Sequence, residues 1–271
     1  MHCGYIKYKM ESKKRKQIFL LICLIVIFLA VNYSFIDKNI ENFLTEQKIV
    51  NVVRVIDGDT IVVENNTHIR LLGINTPEKG EFYHDEAMNF LAGLVSNKSV
   101  KLEYGKDKTD LYGRTLAYVF LGSDNINLEQ VRNGFANVYI LGDTKYESVL
   151  RQAWNECIIS NNNLCEKSAE KCASCIELKN LDVKKQTAIF YNNCSFSCSL
   201  TGWNIKDEGR KNFYFPEFTL NRNSQVSVIV GNQTDTNSIL FWKGESYVWT
   251  SAGDTLFLRD EKGKLVLWKN Y

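Results

Sequence analysis

Two arginines and several oxygen-bearing side chains are concentrated between residues 57 and 114, in types and spacings that suit one reaction. Asp57 and Asp59 flank a glycine, and Arg70 lies within the apolar run at residues 69–72. A charge inside an apolar strand is costly unless it is paired or faces a site. The full set comprises Asp57, Asp59, Arg70, Asn75, Thr76, Glu78, Asp110 and Arg114.

These residue types meet the needs of phosphodiester hydrolysis. Carboxylate, amide and carbonyl oxygens are the ligands of a hard cation, which lowers the pKa of a bound water. Negative charge grows on the phosphoryl oxygens in the transition state, and two guanidinium groups can stabilise it through bidentate hydrogen bonds. A further carboxylate can orient or deprotonate the attacking water. The net charge of +2 is close to neutral, so any phosphate site has to be local.

The elements that would position these residues have the pattern of a small barrel, in a chain that is mainly β with helices. Runs rich in Val, Ile and Thr predict strands, apolar residues at helical spacing predict helices, and Asp57-Gly58 predicts a turn. Five strands interrupted by helices are typical of the OB-fold, whose loops present ligands on one rim. Strands are expected at residues 50–56, 60–64, 68–72, 100–104 and 115–121, and three helices at 83–95, 128–133 and 146–158.

Three ordered motifs in this region resemble the staphylococcal nuclease (thermonuclease) family. They are VIDGDT at residues 55–60, IRLLGINTPE at 69–78 and DLYGRTLAY at 110–118. The resemblance covers residues 49–158 and implies an OB-fold nuclease domain that uses calcium to hydrolyse DNA, and RNA as a second substrate. A membrane-anchored protein that binds nucleic acid with weak or no catalysis is the alternative.

The resemblance also implies a role for each residue of the set. The two arginines would clamp the phosphate, the glutamate would act as general base, and Thr76 would offer its backbone carbonyl to the metal. The implied roles are catalytic for Arg70, Glu78 and Arg114, calcium-binding for Asp59, Asn75 and Thr76, and supporting for Asp57 and Asp110. His84 follows closely in sequence and is expected on the exposed face of a helix.

Residues 176–271 have a different pattern, with many short strands separated by Asn, Asp and Gly turns. Such a pattern is typical of an all-β sandwich. The segments LTGWNIKD at 200–207 and GDTLFLRD at 253–260 resemble the lamin-tail domain, which implies an immunoglobulin-like sandwich. Because fold does not imply function, this resemblance assigns no partner to the sandwich.

The N-terminal part of the chain has a basic cluster at residues 13–16, followed by an uncharged apolar run at 18–36. About 20 apolar residues span a bilayer, and basic residues stay on the cytosolic side. This predicts a cytosolic tail at residues 1–17, a single transmembrane anchor at 18–36 and a tether at 37–48, with both domains outside the cell membrane. A cleaved signal peptide is the alternative and would make the protein secreted.

Six cysteines lie in the second half of the chain, and an even number in an exported segment predicts disulfides. Cys157 is expected to pair with Cys165, at the start of a linker that covers residues 159–175. The other four would pair across the linker and the sandwich. A zinc site is the competing interpretation of these four, which are Cys172, Cys175, Cys194 and Cys198.

Asn75 stands where the family pattern carries a metal-binding aspartate, so the site lacks one negative charge. We therefore expect the Asn75→Asp variant to reach half-maximal nuclease activity at a lower calcium concentration than the natural protein. A calcium titration of both proteins measures this. An unchanged or higher calcium requirement in the variant would contradict the charge argument.

Overall fold

The computed structural model describes residues 3–33, 47–140, 142 and 145–271, with side chains from residue 14 onward except that of residue 47. The chain divides into two compact units, Met1–Gln47 and Lys48–Tyr271. Most of the tether predicted at residues 37–48, and the first two residues of the predicted tail, lie outside the described residues.

The N-terminal unit contains one long helix, α1, at Cys3–Val31. The transmembrane anchor predicted at residues 18–36 is wrong: no helix in the described part of the chain is long and apolar enough to cross a membrane. The helix begins within the basic tail and ends at Val31, so only about 14 of its residues belong to the apolar run. At about 1.5 Å per residue these span roughly 21 Å, short of a hydrocarbon core of about 30 Å.

A closed five-stranded barrel begins the second unit, as the OB-fold prediction requires. Its strands pair in the order β3, β2, β1, β5, β6, and a parallel pairing of β3 with β6 closes the barrel. The strands are β1 at Gln47–Asp57, β2 at Thr60–Val63, β3 at Thr67–Leu71, β5 at Ser99–Thr109 and β6 at Thr115–Leu121. Three two-residue strands accompany them: β4 at Ile74–Asn75, β7 at Asp124–Asn125 and β8 at Asn137–Val138.

Three helices pack on this barrel, the number predicted. They are α2 at His84–Val95, α3 at Ile126–Arg132 and α4 at Glu147–Ser160. In α2 the side chains of Ala87, Leu91 and Val95 recur at helical spacing and are fully buried. The side chain of Asn125 accepts hydrogen bonds from two backbone amides at the start of α3, so this helix begins before the predicted residue 128.

The C-terminal half forms two four-stranded sheets, in agreement with the predicted sandwich. One sheet has the order β16, β15, β10, β9 and the other the order β13, β12, β17, β18, while β11 pairs with β14. The strands are β9 Ile176–Asp182, β10 Thr187–Asn192, β11 Cys198–Ser199, β12 Asn204–Lys206, β13 Asn212–Tyr214, β14 Thr219–Leu220, β15 Gln225–Val230, β16 Ile239–Trp242, β17 Thr255–Arg259 and β18 Leu265–Asn270.

The sandwich is packed directly against the barrel. Trp154 of α4 makes edge contacts with Phe257 and Trp268, at centroid distances of 5.4 and 6.1 Å. The buried guanidinium of Arg259 donates to the carbonyl of Leu164, and Leu265 exchanges backbone hydrogen bonds with the linker. Apolar side chains of the sandwich, among them Phe257 and Leu265, are therefore part of the hydrophobic core of the barrel. A shared core favours a fixed arrangement of the two domains.

All six cysteines of this half are paired. The structure joins Cys157 to Cys165, the pair predicted from the sequence. The other four join the linker to the turn before β11 and to the first residue of β11, which gives two further disulfides. Those two disulfides are Cys172–Cys198 and Cys175–Cys194.

Loss of the Cys172–Cys198 bridge should destabilise the sandwich, because the bridge closes a loop with a sequence separation of 26. In the chain-entropy model a loop of this size contributes about 3 kcal/mol. We expect the double variant Cys172→Ser/Cys198→Ser to lose about this much free energy of unfolding, and Cys23→Ser, at an unpaired cysteine, to lose little. Alkylation of these six cysteines, or one bound zinc per chain, in mass spectrometry of the non-reduced protein would contradict the three disulfides.

Candidate active site

Arg70 is almost completely buried at one end of the barrel. It lies on β3 directly opposite Thr60 of β2, and only 6% of its surface is exposed. Its Nη2 is 3.0 Å from Oδ2 of Asp59, and its Nη1 donates to the carbonyl of Leu71. Burial lowers the pKa of Arg70, the nearby charge of Asp59 opposes that shift, and the charges of other arginines add to it. Pairing with Asp59 is thus what allows a charge inside this strand.

Asn75 and Thr76 join the same cluster through β4. Nη2 of Arg70 also donates to Oδ1 of Asn75 at 3.1 Å, so the Asp59 and Asn75 oxygens face one point. The backbone amide of Thr76 donates to Oδ2 of Asp59, and the buried Oγ1 of Thr76 has no hydrogen-bond partner among the described residues. Carboxylate and amide oxygens are ligands that fit a hard cation such as calcium, and in this structure both are bound to the guanidinium of Arg70.

The amide of Asn75 is oriented by the sandwich. Its Nδ2 donates to the backbone carbonyl of Gly209, 2.7 Å away. An aspartate at position 75 would place a carboxylate oxygen against that carbonyl, and two acceptors at such a distance repel each other. The gain in calcium affinity expected from the extra charge of Asn75→Asp is therefore opposed by a contact that the barrel sequence alone does not reveal.

Arg114 reaches the cluster from the start of β6. Its Nε is 2.7 Å from Oδ2 of Asp110, and the other carboxylate oxygen accepts two backbone amides of the same turn. These hydrogen bonds and the guanidinium lower the pKa of Asp110 against a burial effect that raises it. Nη1 of Arg114 lies 3.4 Å from Oγ1 of Thr60, whose hydroxyl donates to Asp59. Asp110 thus positions Arg114, and Thr60 connects Arg114 to the Asp59 cluster.

Asp57 occupies the turn between β1 and β2. Burial, followed by the charge of Asp59, raises its pKa. His84 is not a surface residue as expected, since its Nδ1 lies 3.1 Å from the carbonyl of Pro77 and 3.5 Å from Oδ1 of Asp57. Gly58 separates the two aspartates, and a Cβ there would approach Ala87 Cβ to 2.8 Å, so the turn requires glycine to lie this close to α2.

Glu78 is held by the sandwich rather than by the arginines of its own domain. Its Oε1 forms an ion pair with Nε of Arg210 at 2.7 Å, and both side chains are partly exposed. Its backbone amide donates to Oε2 of Glu81. The same carboxylate of Glu81 accepts from Lys206 and Asn212, on the two strands that flank Arg210.

The segment that contacts Glu78 and Asn75 is the loop at residues 207–211, between β12 and β13. Burial is the main cause that raises the pKa of Asp207 to about 6 and of Glu208 to about 7, and the charge of Asp254 adds to both shifts. The amide of Glu208 donates to Asp254, and Oε2 of Glu208 accepts from Thr255. This loop is therefore fixed to the sandwich while it lies against the barrel rim.

The structure brings most of the predicted residues together at one end of the barrel. Asp59, Arg70, Asn75 and Thr76 are in direct contact, and Arg114 is connected to them through Thr60. No local signal in the sequence identifies Gly209 and Arg210, because they lie more than 130 positions from the residues they contact. From the sequence, the charged segment at residues 207–211 has the pattern of an ordinary solvated turn. It becomes part of this rim only because the two domains are docked.

Comparisons with known proteins agree with these observations. The family model for staphylococcal nuclease homologues matches residues 68–164, and that for the lamin tail domain matches 167–271. A thermonuclease of Staphylococcus intermedius is 36% identical over 126 residues, 43% of this chain and 75% of that protein. A thermonuclease of Staphylococcus hyicus is 34% identical over 143 residues, 49% of this chain and 83% of that protein. An uncharacterized endonuclease of Haemophilus influenzae is 37% identical over 99 residues, 35% of this chain and 54% of that protein.

The raised pKa values of Asp207 and Glu208 predict a pH dependence of stability. Both groups are buried, and their folded pKa lies above the unfolded value of about 4. The folded state therefore binds these protons more tightly than the unfolded state does. The resulting contribution to the free energy of unfolding is complete below pH 4 and is lost as pH rises through 6 to 7, where the two carboxyl groups ionise. We expect the free energy of unfolding to fall by roughly 1–3 kcal/mol from this cause between pH 5 and pH 8.

Glu208→Gln should reduce that fall, because glutamine cannot ionise. Glu217→Gln, at an exposed carboxylate of the same domain, is the matched control and should leave it unchanged. Urea denaturation at several pH values measures the difference. Equal pH slopes in the natural protein and in Glu208→Gln would contradict the assignment.

Proposed function

Because this chain belongs to the staphylococcal nuclease family, we propose that it is a calcium-dependent nuclease acting on DNA, with RNA as a second substrate. Phosphodiester hydrolysis is the reaction of the family to which it belongs, and the chain is a nuclease. The observation that carries the proposal is the convergence of Asp59, Asn75 and Arg70 at one barrel rim, with Arg114 and Glu78 beside it. The oxygens and guanidinium groups needed for this chemistry are thus in reach of one another.

Calcium would be held by the carboxylate of Asp59, the amide oxygen of Asn75 and the backbone carbonyl of Thr76. When bound, it supplies positive charge that lowers the pKa of a water and neutralises phosphoryl oxygens. The unpartnered hydroxyl of Thr76 and the convergence of the Asp59 and Asn75 oxygens support this assignment. With a single carboxylate among these three ligands, we expect weaker binding of calcium than in a site with two.

The chain's own side chains would carry the remaining steps. Glu78, partly exposed at the rim, would orient the attacking water and accept its proton. Arg114, held in place by Asp110, would donate hydrogen bonds to the phosphoryl oxygens as their charge increases. Arg70 is buried, and its role would be to hold Asp59 and Asn75 and to raise the positive potential of the rim.

We further propose that the barrel and the sandwich operate in an oxidising compartment outside the cytosol. Three disulfides within residues 157–198 support this, because such bonds persist in exported proteins and are rare in the cytosol. Among the cysteines whose side chains the structure describes, Cys23 in the N-terminal unit is the one free thiol.

Replacing Arg114 by Ala should reduce turnover on single-stranded DNA by roughly 10²–10³-fold, the typical effect of losing one transition-state donor. Loss of the general base in Glu78→Ala should reduce turnover by roughly 10²–10⁴-fold, and Arg70→Ala should reduce turnover because it removes the group that holds Asp59 and Asn75. Arg54→Ala, at an exposed arginine of β1, is the control and should retain the natural rate. Cleavage of a labelled oligonucleotide, with calcium or with chelator, measures both points. Natural activity in all three variants, or equal activity in chelator, would refute the calcium-dependent mechanism.

A further inference from the structure

Arg210 is the residue of the sandwich that comes closest to the predicted chemistry. Its Nε lies 2.7 Å from Oε1 of Glu78, and about half of its side chain is exposed, 49%. Its charge is also close enough to Arg70 to lower the pKa of that residue. A third guanidinium is thus present at the rim where Arg70 and Arg114 are found.

The three arginines differ in how much of each is available to a ligand. Arg70 is buried, and its donors are directed at Asp59, Asn75 and a backbone carbonyl. Arg114 is 21% exposed, and its Nε is bound to Asp110. Arg210 uses Nε for Glu78, and within the described part of the chain neither of its Nη groups has a protein partner. A guanidinium fork with free donors at an exposed rim is suited to a phosphate.

The backbone on both sides of Arg210 is held in place. Asp207 and Lys211 close the loop with two hydrogen bonds, one between their backbones and one from the Lys211 amide to Oδ1 of Asp207. The carbonyl of Gly209 accepts from the buried Asn75. The flanking strand β12 is attached to the barrel by the partly buried ion pair of Lys206 with Glu81. Because the loop is fixed at both ends, Arg210 is pre-positioned at the rim.

We propose that Arg210 is a substrate-binding residue of the nuclease site, which contacts a phosphate of the nucleic acid. This proposal rests on the nuclease function proposed above and adds a residue from the second domain to it. The phosphate first binds the free Nη groups of Arg210, and its negative charge then displaces the carboxylate of Glu78 from the same guanidinium. That exchange releases the carboxylate of Glu78 to act on the attacking water, so substrate binding and readiness of the base are linked.

Binding without cleavage tests the contact directly. Fluorescence anisotropy of a single-stranded oligonucleotide, in chelator, is measured over a range of salt concentrations for the natural protein, Arg210→Ala, Arg210→Lys and the control Arg222→Ala. Arg222 is an exposed arginine of the same domain, in the turn between β14 and β15 and outside this loop. We expect about tenfold weaker binding by Arg210→Ala at low salt, because hydrogen bonds to charged groups contribute strongly.

The salt dependence separates a phosphate contact from a structural role. Loss of one contact on a single strand should reduce the slope of log affinity against log salt by about 0.7 in Arg210→Ala. Arg210→Lys should keep most of the slope, since it retains the charge, and Arg222→Ala should keep all of it. Melting temperatures identify any variant that has lost its fold. If Arg210→Ala is unfolded, the binding of Arg210→Lys is compared with that of the natural protein instead.

Cleavage with calcium provides the second measurement, with kcat/KM of Arg210→Ala expected to be about tenfold below that of Arg222→Ala. Equal binding and cleavage by these two variants would overturn the proposal. Faster cleavage by Arg210→Ala would also overturn it, because that result identifies the ion pair with Glu78 as an inhibitory contact. If the natural protein binds with the expected slope but cuts nothing, the nuclease function fails while the Arg210 contact stands; if it does not bind at all, both fail.

Discussion

A buried guanidinium has to be paired, and the pairing of Arg70 determines most of this site. Asp59 and Asn75 both direct an oxygen at its Nη2, which fixes the turn after β1 and the short strand β4 relative to β3. The ion pair is almost fully desolvated, and removing either partner would leave an uncompensated charge. The arrangement that stabilises the barrel rim is therefore the one that gathers oxygen ligands at a single point.

Hydrogen bonds from that cluster extend into the second domain. Asn75 donates to Gly209, Glu78 pairs with Arg210, and Glu81 accepts from both strands that flank the loop at residues 207–211. Behind the rim, Trp154 packs against sandwich aromatics, so polar and apolar contacts hold the same two surfaces together. A nuclease domain and a lamin-tail domain thus share one candidate site, and Asn75, neutral and able to donate, is suited to that junction.

The barrel could be predicted from sequence because its determinants are local. Each of its sequence signals depends only on residues that are close in the chain: the Asp57-Gly58 turn, the charge of Arg70 in an apolar strand and the helical spacing in α2. The contacts of Gly209 and Arg210 could not be predicted, since they depend on docking between segments distant in sequence. The transmembrane anchor at residues 18–36 was wrongly predicted for a different reason. The apolar run continues to residue 36, but the helix ends at Val31, and hydropathy does not determine where a helix ends.

The candidate site depends most on the docking of the sandwich against the barrel rim, and the partly buried ion pair of Glu81 with Lys206 tests that docking most directly. A double-mutant cycle with Glu81→Gln and Lys206→Met measures their coupling from free energies of unfolding. If the two domains are docked in solution as described, the coupling should be at least about 1 kcal/mol. Effects of the two substitutions that add within about 0.3 kcal/mol would show that the pair does not form and would contradict a shared site.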